Sequence, residues 1–172
     1  IGADGQLGSD LVPALKGRDV VPLFWPSFDI VKADEAAAVL HRIRPDVVIN
    51  TAAFHRVDEC EDRADMAFAV NAFAVRDLAR TCRALGAVLV HFSTDFVFDG
   101  EKGSPYLEED RPGPLSVYGA SKLAGEHFVR ASIDRAFVVR TCGLFGRAGC
   151  LEKGRNFVEK MLFLKASGRK EI

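Results

Sequence analysis

Tyr118 and Lys122 are the residues of this sequence best suited to moving a proton. Positions i and i+4 of a helix lie on one face, about 6 Å apart along the helix axis. A lysine ammonium close to a phenol favours the phenolate and lowers its pKa from about 10. The spacing therefore predicts a tyrosine that donates a proton to a carbonyl group as that carbonyl receives a hydride. The alternative is a packed tyrosine beside a solvated lysine.

The stretch Phe92-Ser93-Thr94-Asp95 places two hydroxyls and a carboxylate directly after an apolar run. In open α/β sheets, ligands bind at the carboxyl ends of the strands. A hydroxyl at such a place can hydrogen-bond a substrate carbonyl, and a carboxylate can add a further contact. The alternative is an ordinary turn or helix cap, for which Ser, Thr and Asp are equally suited.

Glycines recur every third residue at the start of the chain, at Gly2, Gly5 and Gly8. Glycine at such positions permits a tight turn, lets a diphosphate approach the backbone and lets the following helix pack on its strand. The helix N-terminus then offers N–H groups and a positive dipole end to an anion. The pattern predicts a dinucleotide-binding turn, and the alternative is a flexible turn without a ligand.

Alternating strands and helices must position these three groups. The predicted strands cover residues 20–24, 47–50, 87–92 and 136–140. The predicted helices cover residues 8–15, 34–44, 64–85, 117–131 and 157–166, with Asp34 as an N-cap, Gly86 as a helix end and residues 101–115 as a loop. Such alternation predicts an α/β fold with a doubly wound parallel sheet of the Rossmann type.

Composition excludes several other classes of protein. The chain has 172 residues, of which 48% are apolar and 27% charged, and its net charge of −1 argues against broad nucleic-acid binding. No apolar run approaches the ~18 residues of a membrane helix, and no signal peptide opens the chain. The cysteines Cys60, Cys82, Cys142 and Cys150 lack metal-binding spacing. They are interpreted as reduced thiols of a cytoplasmic protein without a metal site.

The chain is expected to be a fragment. Only Ile1 precedes the glycine turn, where a whole buried strand is usual, and residues 164–172 stop at what resembles the start of another strand. We therefore expect residues 1–172 to be one NAD(P)-binding Rossmann domain that is incomplete at both ends. Most of a C-terminal substrate lobe would be absent.

Taken together and in order, several stretches resemble the extended short-chain dehydrogenase/reductases, and within them the dTDP-4-dehydrorhamnose reductase family. They are GADGQLG (2–8), RPDVVINTAAFHRVDECE (44–61), VNA (70–72), HFSTDFVFDG (91–100), PYLEED (105–110), PLSVYGASKLAGE (114–126) and RTCGLFG (140–146). The resemblance spans nearly the whole chain, so it is far more specific than any single motif.

The resemblance implies NAD(P)H-dependent reduction of the 4-keto group of dTDP-4-dehydro-6-deoxy-L-mannose to dTDP-L-rhamnose. It makes Tyr118 the proton donor, Lys122 its partner and a ligand of the nicotinamide ribose, Thr94 the residue that orients the keto group, and Asp95 a sugar contact. The implied cofactor contacts are Gly2, Gly5, Gln6, Leu7, Asp29, Ile30, Ala52, Ala53, Phe54, Phe92, Tyr118 and Lys122.

The cofactor and the partners follow from the same resemblance. Leu23-Phe24-Trp25 carries no carboxylate where NADH-binding relatives hold the ribose, which favours NADPH or use of both cofactors. The expected partner is a dTDP-sugar, with no nucleic acid and no membrane. A homodimer and an Mg²⁺ site are compatible with the family, and both would involve residues outside this chain.

Three other functions remain open at this point. The chain could be another sugar-nucleotide reductase or an epimerase. It could also be a non-catalytic, cofactor-binding regulatory subunit that resembles the methionine adenosyltransferase β subunit. A dehydratase is disfavoured, because Phe96 stands where those enzymes usually have a glutamate.

Overall fold

The computed structural model describes residues 1–146 and 157–168. In chain order, the helices are α1 (Gln6–Ala14), α2 (Ala33–Ile43), α3 (Val57–Asp62), α4 (Ala64–Phe68), α5 (Ala74–Leu85), α6 (Val117–Ser132) and α7 (Phe157–Ala166). The strands are β1 (Val47–Asn50), β2 (Val88–Thr94) and β3 (Ala136–Thr141). A π-helical turn (Ala69–Phe73) joins α4 to α5, and a short 3₁₀ turn (Asp95–Val97) follows β2.

The three strands form a parallel sheet in the order β1-β2-β3, as predicted for this α/β class. Asn50 lies opposite His91, and Thr94 lies opposite Thr141. Ile1 continues the sheet on the other side of β1, because its amino group donates to Ile49 O at 2.7 Å. The loops that leave the strands at Ile1, Asn50 and Thr94 therefore meet at the carboxyl edge of the sheet.

One face of the sheet and three helices enclose the core. Burial alternates along β1 and β2, with partly buried or exposed residues between the buried ones, until Ser93 and Thr94, which are both buried. Helix α5 contacts both α2 and α6, so these helices form the layer over the buried face. The apolar side chains buried there include Leu40, Val48, Val75, Leu78, Leu89 and Val129. This layer fixes α6, which carries the tyrosine and the lysine.

Two local predictions are wrong, and a third holds with a change of detail. Residues 20–24 do not form a strand, because a strand needs a ladder of backbone hydrogen bonds and the bond from Ala3 N–H to Leu23 O (3.2 Å) is a single one. Asp34 lies inside the first turn of α2, and Lys32 precedes that helix without a side-chain cap. The long helix predicted for 64–85 is confirmed as a continuous helical run, with the π-helical turn inside it.

Two other predictions are confirmed. Gly86 ends α5 in the left-handed conformation (φ 71°), which costs glycine little. Helix α7 has the predicted bounds. Within residues 1–146 and 157–168, no helix is long and apolar enough to span a membrane.

Candidate active site

The end of β2 and one face of α6 bring the predicted catalytic residues together. Lys122 is 2% exposed, and its ammonium donates to the carbonyl oxygen of Phe92 at 2.6 Å. The hydroxyl of Thr94 lies close enough to the Tyr118 phenol to lower its pKa; it donates to the Asp95 carboxylate at 3.1 Å and accepts from Phe96 N–H at 3.2 Å. The tyrosine, the lysine and the threonine therefore meet at the carboxyl edge of the sheet, where the sequence places them.

The electrostatics of Tyr118 differ from the prediction. Burial raises the pKa of its phenol, the Thr94 hydroxyl lowers it, and the nearby Cys60 and Asp95 raise it further. Lys122 does not lower it, because the ammonium is turned to the Phe92 carbonyl. The prediction that the lysine makes this phenol acidic is wrong for this arrangement. A phenol with a raised pKa stays protonated at neutral pH, as a proton donor must.

Burial lowers the pKa of Lys122 to about 8, although the carboxylate of Glu126 opposes the shift. A buried ammonium is costly because little water solvates it. Below pH 8 the lysine is charged in both the folded and the unfolded chain. Between pH 8 and pH 10.5 it is neutral in the folded chain and still charged in the unfolded one. The free energy of unfolding should therefore rise with pH across that window.

Replacing Lys122 by methionine should remove this rise. We expect Lys122→Met to gain stability relative to the parent protein at pH 7 and to lose that gain, about 3 kcal/mol, by pH 10.5. Effects of the substitution that do not depend on pH, such as changed packing, add the same amount at every pH. They therefore do not alter how the stability difference between the two proteins changes with pH. Urea unfolding of both proteins across the pH range measures the difference. A difference that stays constant with pH would show that Lys122 titrates normally.

The glycine turn lies against the loop that follows β1. Gly2 has a φ of 74°, and a Cβ there would lie 2.8 Å from both Ala52 N and Thr51 Oγ1. The Thr51 hydroxyl is in turn hydrogen-bonded to the carbonyl oxygens of Ile1 (2.9 Å) and Gly2 (3.0 Å). Gly5 precedes α1, and no side chain caps that helix. Two predicted sets of cofactor residues, 2–7 and 52–54, are therefore neighbours beside an open helix N-terminus.

Asn71 joins the loop after β1 to α6, a role that sequence reasoning missed. Its side chain accepts from Phe54 N–H (2.9 Å) and donates to Phe54 O (2.9 Å) and to the Ser121 hydroxyl (3.0 Å). Asn71 is fully buried in the π-helical turn, and such turns are frequent at functional sites. One polar residue inside the apolar run AFAVNAFAV was the available signal.

Side chains of the protein cap the N-terminus of α6. The Ser116 hydroxyl accepts from Gly119 N–H at 3.1 Å, and the Glu61 carboxylate accepts from Val117 N–H at 2.8 Å. Glu61 belongs to α3, a helix that the sequence analysis did not predict. These bonds satisfy N–H groups that would otherwise lack a partner at the start of the helix.

The other predicted contacts are placed as follows. Ile30 is buried in the core, so only its backbone is available to a ligand, and the Asp29 carboxylate accepts from Val31 N–H at 3.0 Å. The Gln6 amide donates to Leu144 O at 2.5 Å, which links the glycine turn to the segment after β3. The remaining predicted residues, Leu7, Ala53 and Asp95, lie in the first turn of α1, in the loop after β1 and directly after β2.

The described ranges 1–146 and 157–168 contain no group of three or more His, Cys, Asp or Glu residues that could hold a metal ion. Cys60 and Cys82 are buried free thiols there, and Cys142 is an exposed one. Cys150 lies outside the described residues.

A family model for the RmlD substrate binding domain matches residues 1–172. The chain belongs to the RmlD family. A dTDP-4-dehydrorhamnose reductase from Streptomyces griseus is 43% identical over 168 residues, which are 96% of this chain and 54% of that protein. A dTDP-4-keto-6-deoxy-D-glucose reductase from Streptomyces niveus is 40% identical over 167 residues, or 95% of this chain and 56% of that protein.

A solved structure agrees with this membership of the RmlD family. The crystal structure of dTDP-4-dehydrorhamnose reductase from Bacillus anthracis, in complex with NADP, matches with a TM-score of 0.92 at 39% identity. The match covers 99% of this chain and 60% of that one. The predicted Rossmann-type α/β fold is thus confirmed. The chain spans about half the length of the curated RmlD relatives that it matches.

Proposed function

We propose that the protein reduces the 4-keto group of dTDP-4-dehydro-6-deoxy-L-mannose to give dTDP-L-rhamnose, with NADPH or NADH as the reductant. The observation that carries the proposal is the meeting of Thr94, Tyr118 and Lys122 at the sheet edge. The names of the RmlD relatives and the NADP complex from Bacillus anthracis support it. Residues 1–172 would be the cofactor-binding domain of a cytoplasmic enzyme.

The residues around the glycine turn fit a dinucleotide. A Cβ at Gly8 would lie 2.1 Å from Gly2 O, so the turn is closed on itself and leaves its outer side to a ligand. The N–H groups at the start of α1 and the positive end of its dipole suit a diphosphate. Residues 52–54, braced by Asn71, would then line the path of the cofactor towards Lys122.

The reaction needs a hydride and a proton at the 4-keto group. The bound nicotinamide supplies the hydride. Tyr118 gives its phenolic proton to the carbonyl oxygen as negative charge develops there, and Thr94 orients that oxygen by a hydrogen bond. The Lys122 ammonium, held on the Phe92 carbonyl, places a positive charge and a donor beside the cofactor ribose. Asp95 would contact the sugar.

Absence of a carboxylate at residues 23–25 favours NADPH, because a negative side chain there would repel its 2′-phosphate. Lys32, a cation that could reach towards the 2′-phosphate, forms an exposed ion pair with Glu35 at 3.3 Å. Exposed pairs of this kind are weak, about 0–1 kcal/mol, so the pair would hold Lys32 only loosely. Both cofactors should therefore be accepted, with NADPH at least as good as NADH.

A second reductase substrate is the strongest alternative, because the relative from Streptomyces niveus is named for dTDP-4-keto-6-deoxy-D-glucose. Elimination chemistry is not supported, since Phe96 packs its ring edge-on against Tyr118, 5.7 Å between centroids, and brings no carboxylate. An epimerase or a non-catalytic cofactor-binding subunit remains as an outcome of the test below.

The test is a turnover assay on the protein at its full natural length. Purified protein is mixed with dTDP-4-dehydro-6-deoxy-L-mannose and NADPH or NADH, and loss of near-ultraviolet nicotinamide absorbance is followed. We expect turnover to dTDP-L-rhamnose, identified by NMR, with a kcat/KM ratio for NADPH over NADH of one or more. Cofactor binding without turnover would favour the regulatory role. Turnover of dTDP-4-keto-6-deoxy-D-glucose alone, in a parallel assay, would favour the second substrate. A strong preference for NADH would contradict the interpretation of residues 23–25.

A further inference from the structure

Glu126 lies on the same face of α6 as Tyr118 and Lys122, and its side chain is fully buried. Its carboxylate accepts from the Ser93 hydroxyl at 2.6 Å. Arg140 of β3 forms a bidentate ion pair with this carboxylate: Nε donates to Oε1 at 2.9 Å, and Nη2 donates to Oε2 at 2.6 Å. A buried carboxylate is costly unless all its oxygens are satisfied. Here the serine and the arginine bond both oxygens.

Two consecutive residues at the end of β2 are bonded to side chains of α6. The Phe92 carbonyl accepts from Lys122, and the Ser93 hydroxyl donates to Glu126. The next strand residue, Thr94, lies beside Tyr118. A shift of α6 along its axis would break both bonds together, so the bond between Ser93 and Glu126 helps to keep Lys122 on Phe92 and Tyr118 beside Thr94.

Arg140 extends this connection to a third part of the site. It lies opposite Ser93 in the sheet register, so both side chains reach the same carboxylate. Its guanidinium also lies over the ring of Phe98, 4.9 Å from the centroid, and Nη1 donates to Glu108 O at 3.5 Å. The loop between the 3₁₀ turn and α6 is thereby tied to the same pair.

The charges near Lys122 come from three elements. Helix α6 contributes Glu126 and Arg130, whose guanidinium lies 3.8 Å from the Glu126 carboxylate. Strand β2 contributes the titratable His91, and β3 contributes Arg140. Burial would raise the pKa of Glu126, but the bonds from Arg140 and Ser93 outweigh it and keep the pKa below its usual value. His91 is neutral, because burial and the Lys122 charge hold its pKa well below 6.5. Glu126 is therefore the anion that stabilises the buried ammonium.

We propose that Glu126, gripped by Arg140, is a positioning residue of the catalytic helix. It holds α6 in register with the end of β2 and keeps a negative charge beside the Lys122 ammonium. The inference rests on the proposed reductase function, and it adds to that function a structural pair that lies below the reacting groups and touches neither substrate nor cofactor.

The first test is Glu126→Gln in the full-length protein, with Asp134→Asn in the exposed turn between α6 and β3 as the matched control. The amide keeps the shape of the side chain but loses its charge and leaves Arg140 uncompensated. We expect kcat to fall about tenfold with KM and the NADPH dissociation constant little changed, since misplaced catalytic groups slow chemistry more than binding. The pH at which the rate falls on the alkaline side should decrease by about one pH unit, because the loss of a neighbouring anion lowers the pKa of Lys122. The control should change neither.

A second readout does not need activity. NMR of lysines labelled with ¹³C at the ε carbon reports the pKa of Lys122 directly, and Glu126→Gln should lower it. If the parent protein shows no turnover, the proposed function fails while this titration still tests the inference. Should Glu126→Gln not fold, the double variant Glu126→Leu/Arg140→Met removes both buried charges and is read in the same way. A folded variant with an unchanged rate, pH dependence and Lys122 titration would overturn the proposal.

Discussion

Replacing Tyr118 by phenylalanine is expected to slow hydride transfer by about 100-fold or more, the usual scale for losing a general acid. The ring of Phe keeps the edge-on contact with Phe96, so packing is preserved and the hydroxyl alone is lost. Burial raises the pKa of that hydroxyl, so in the parent protein it carries its proton at neutral pH. Single-turnover kinetics with preloaded cofactor measure the chemical step directly.

Tyr106 offers the matched control for this substitution. It is the other tyrosine of the chain, and its hydroxyl donates to the Asp99 carboxylate at 2.6 Å in the loop before α6. Tyr106→Phe removes the same atom at a place outside the catalytic group, so its transfer rate should stay close to that of the parent. An unchanged single-turnover rate in Tyr118→Phe would reject Tyr118 as the proton donor.

Adding one methyl group at Gly8 is expected to destabilise the glycine turn by about 3 kcal/mol, at the upper end of overpacking costs. The new Cβ would lie 2.1 Å from Gly2 O and 2.7 Å from Ala3 Cα. Both neighbours are backbone atoms, so a side chain cannot simply move away. Cofactor affinity should fall with stability, because the turn that shapes the site is displaced. Urea unfolding and NADPH titration measure the two effects.

Gly5→Ala separates the fold of the turn from its contact with the cofactor. A Cβ there meets only Gly2 O, at 3.3 Å, and the φ of −67° suits alanine. We expect a stability loss of about 1 kcal/mol or less, as for alanine at a helix start, together with weaker NADPH binding. Gly8→Ala as stable as the parent protein would contradict the close packing of the turn.

The sequence predicted that Thr94, Tyr118 and Lys122 would lie near one another because their positions follow local rules. Tyr118 and Lys122 share a helix face through their spacing alone, and Thr94 follows an apolar strand whose end must lie at the sheet edge. The parallel order of the strands makes such ends neighbours. Periodicity and strand ends were therefore sufficient to bring these side chains together.

The residues that the sequence did not assign act through long-range contacts. Asn71 bonds Phe54, 17 positions earlier, and Ser121, 50 positions later. Glu126 is paired with Arg140 across a helix–strand boundary. No spacing rule connects such partners, because only the packed fold decides which polar side chains meet. The prediction for the Tyr118 pKa failed for a related reason: the spacing placed Lys122 on the correct face but could not show that its ammonium turns to a backbone carbonyl.

Helices α1 and α6 differ in the capping of their N-termini, and this difference bears on where an anionic ligand can bind. Helix α1 begins at a glycine with no side-chain cap, whereas the first N–H groups of α6 already bond Ser116 and the negative Glu61. An incoming polyanion is attracted by the first start and repelled by the second. The charged middle of a long ligand should therefore settle at the start of α1 and not at the start of α6.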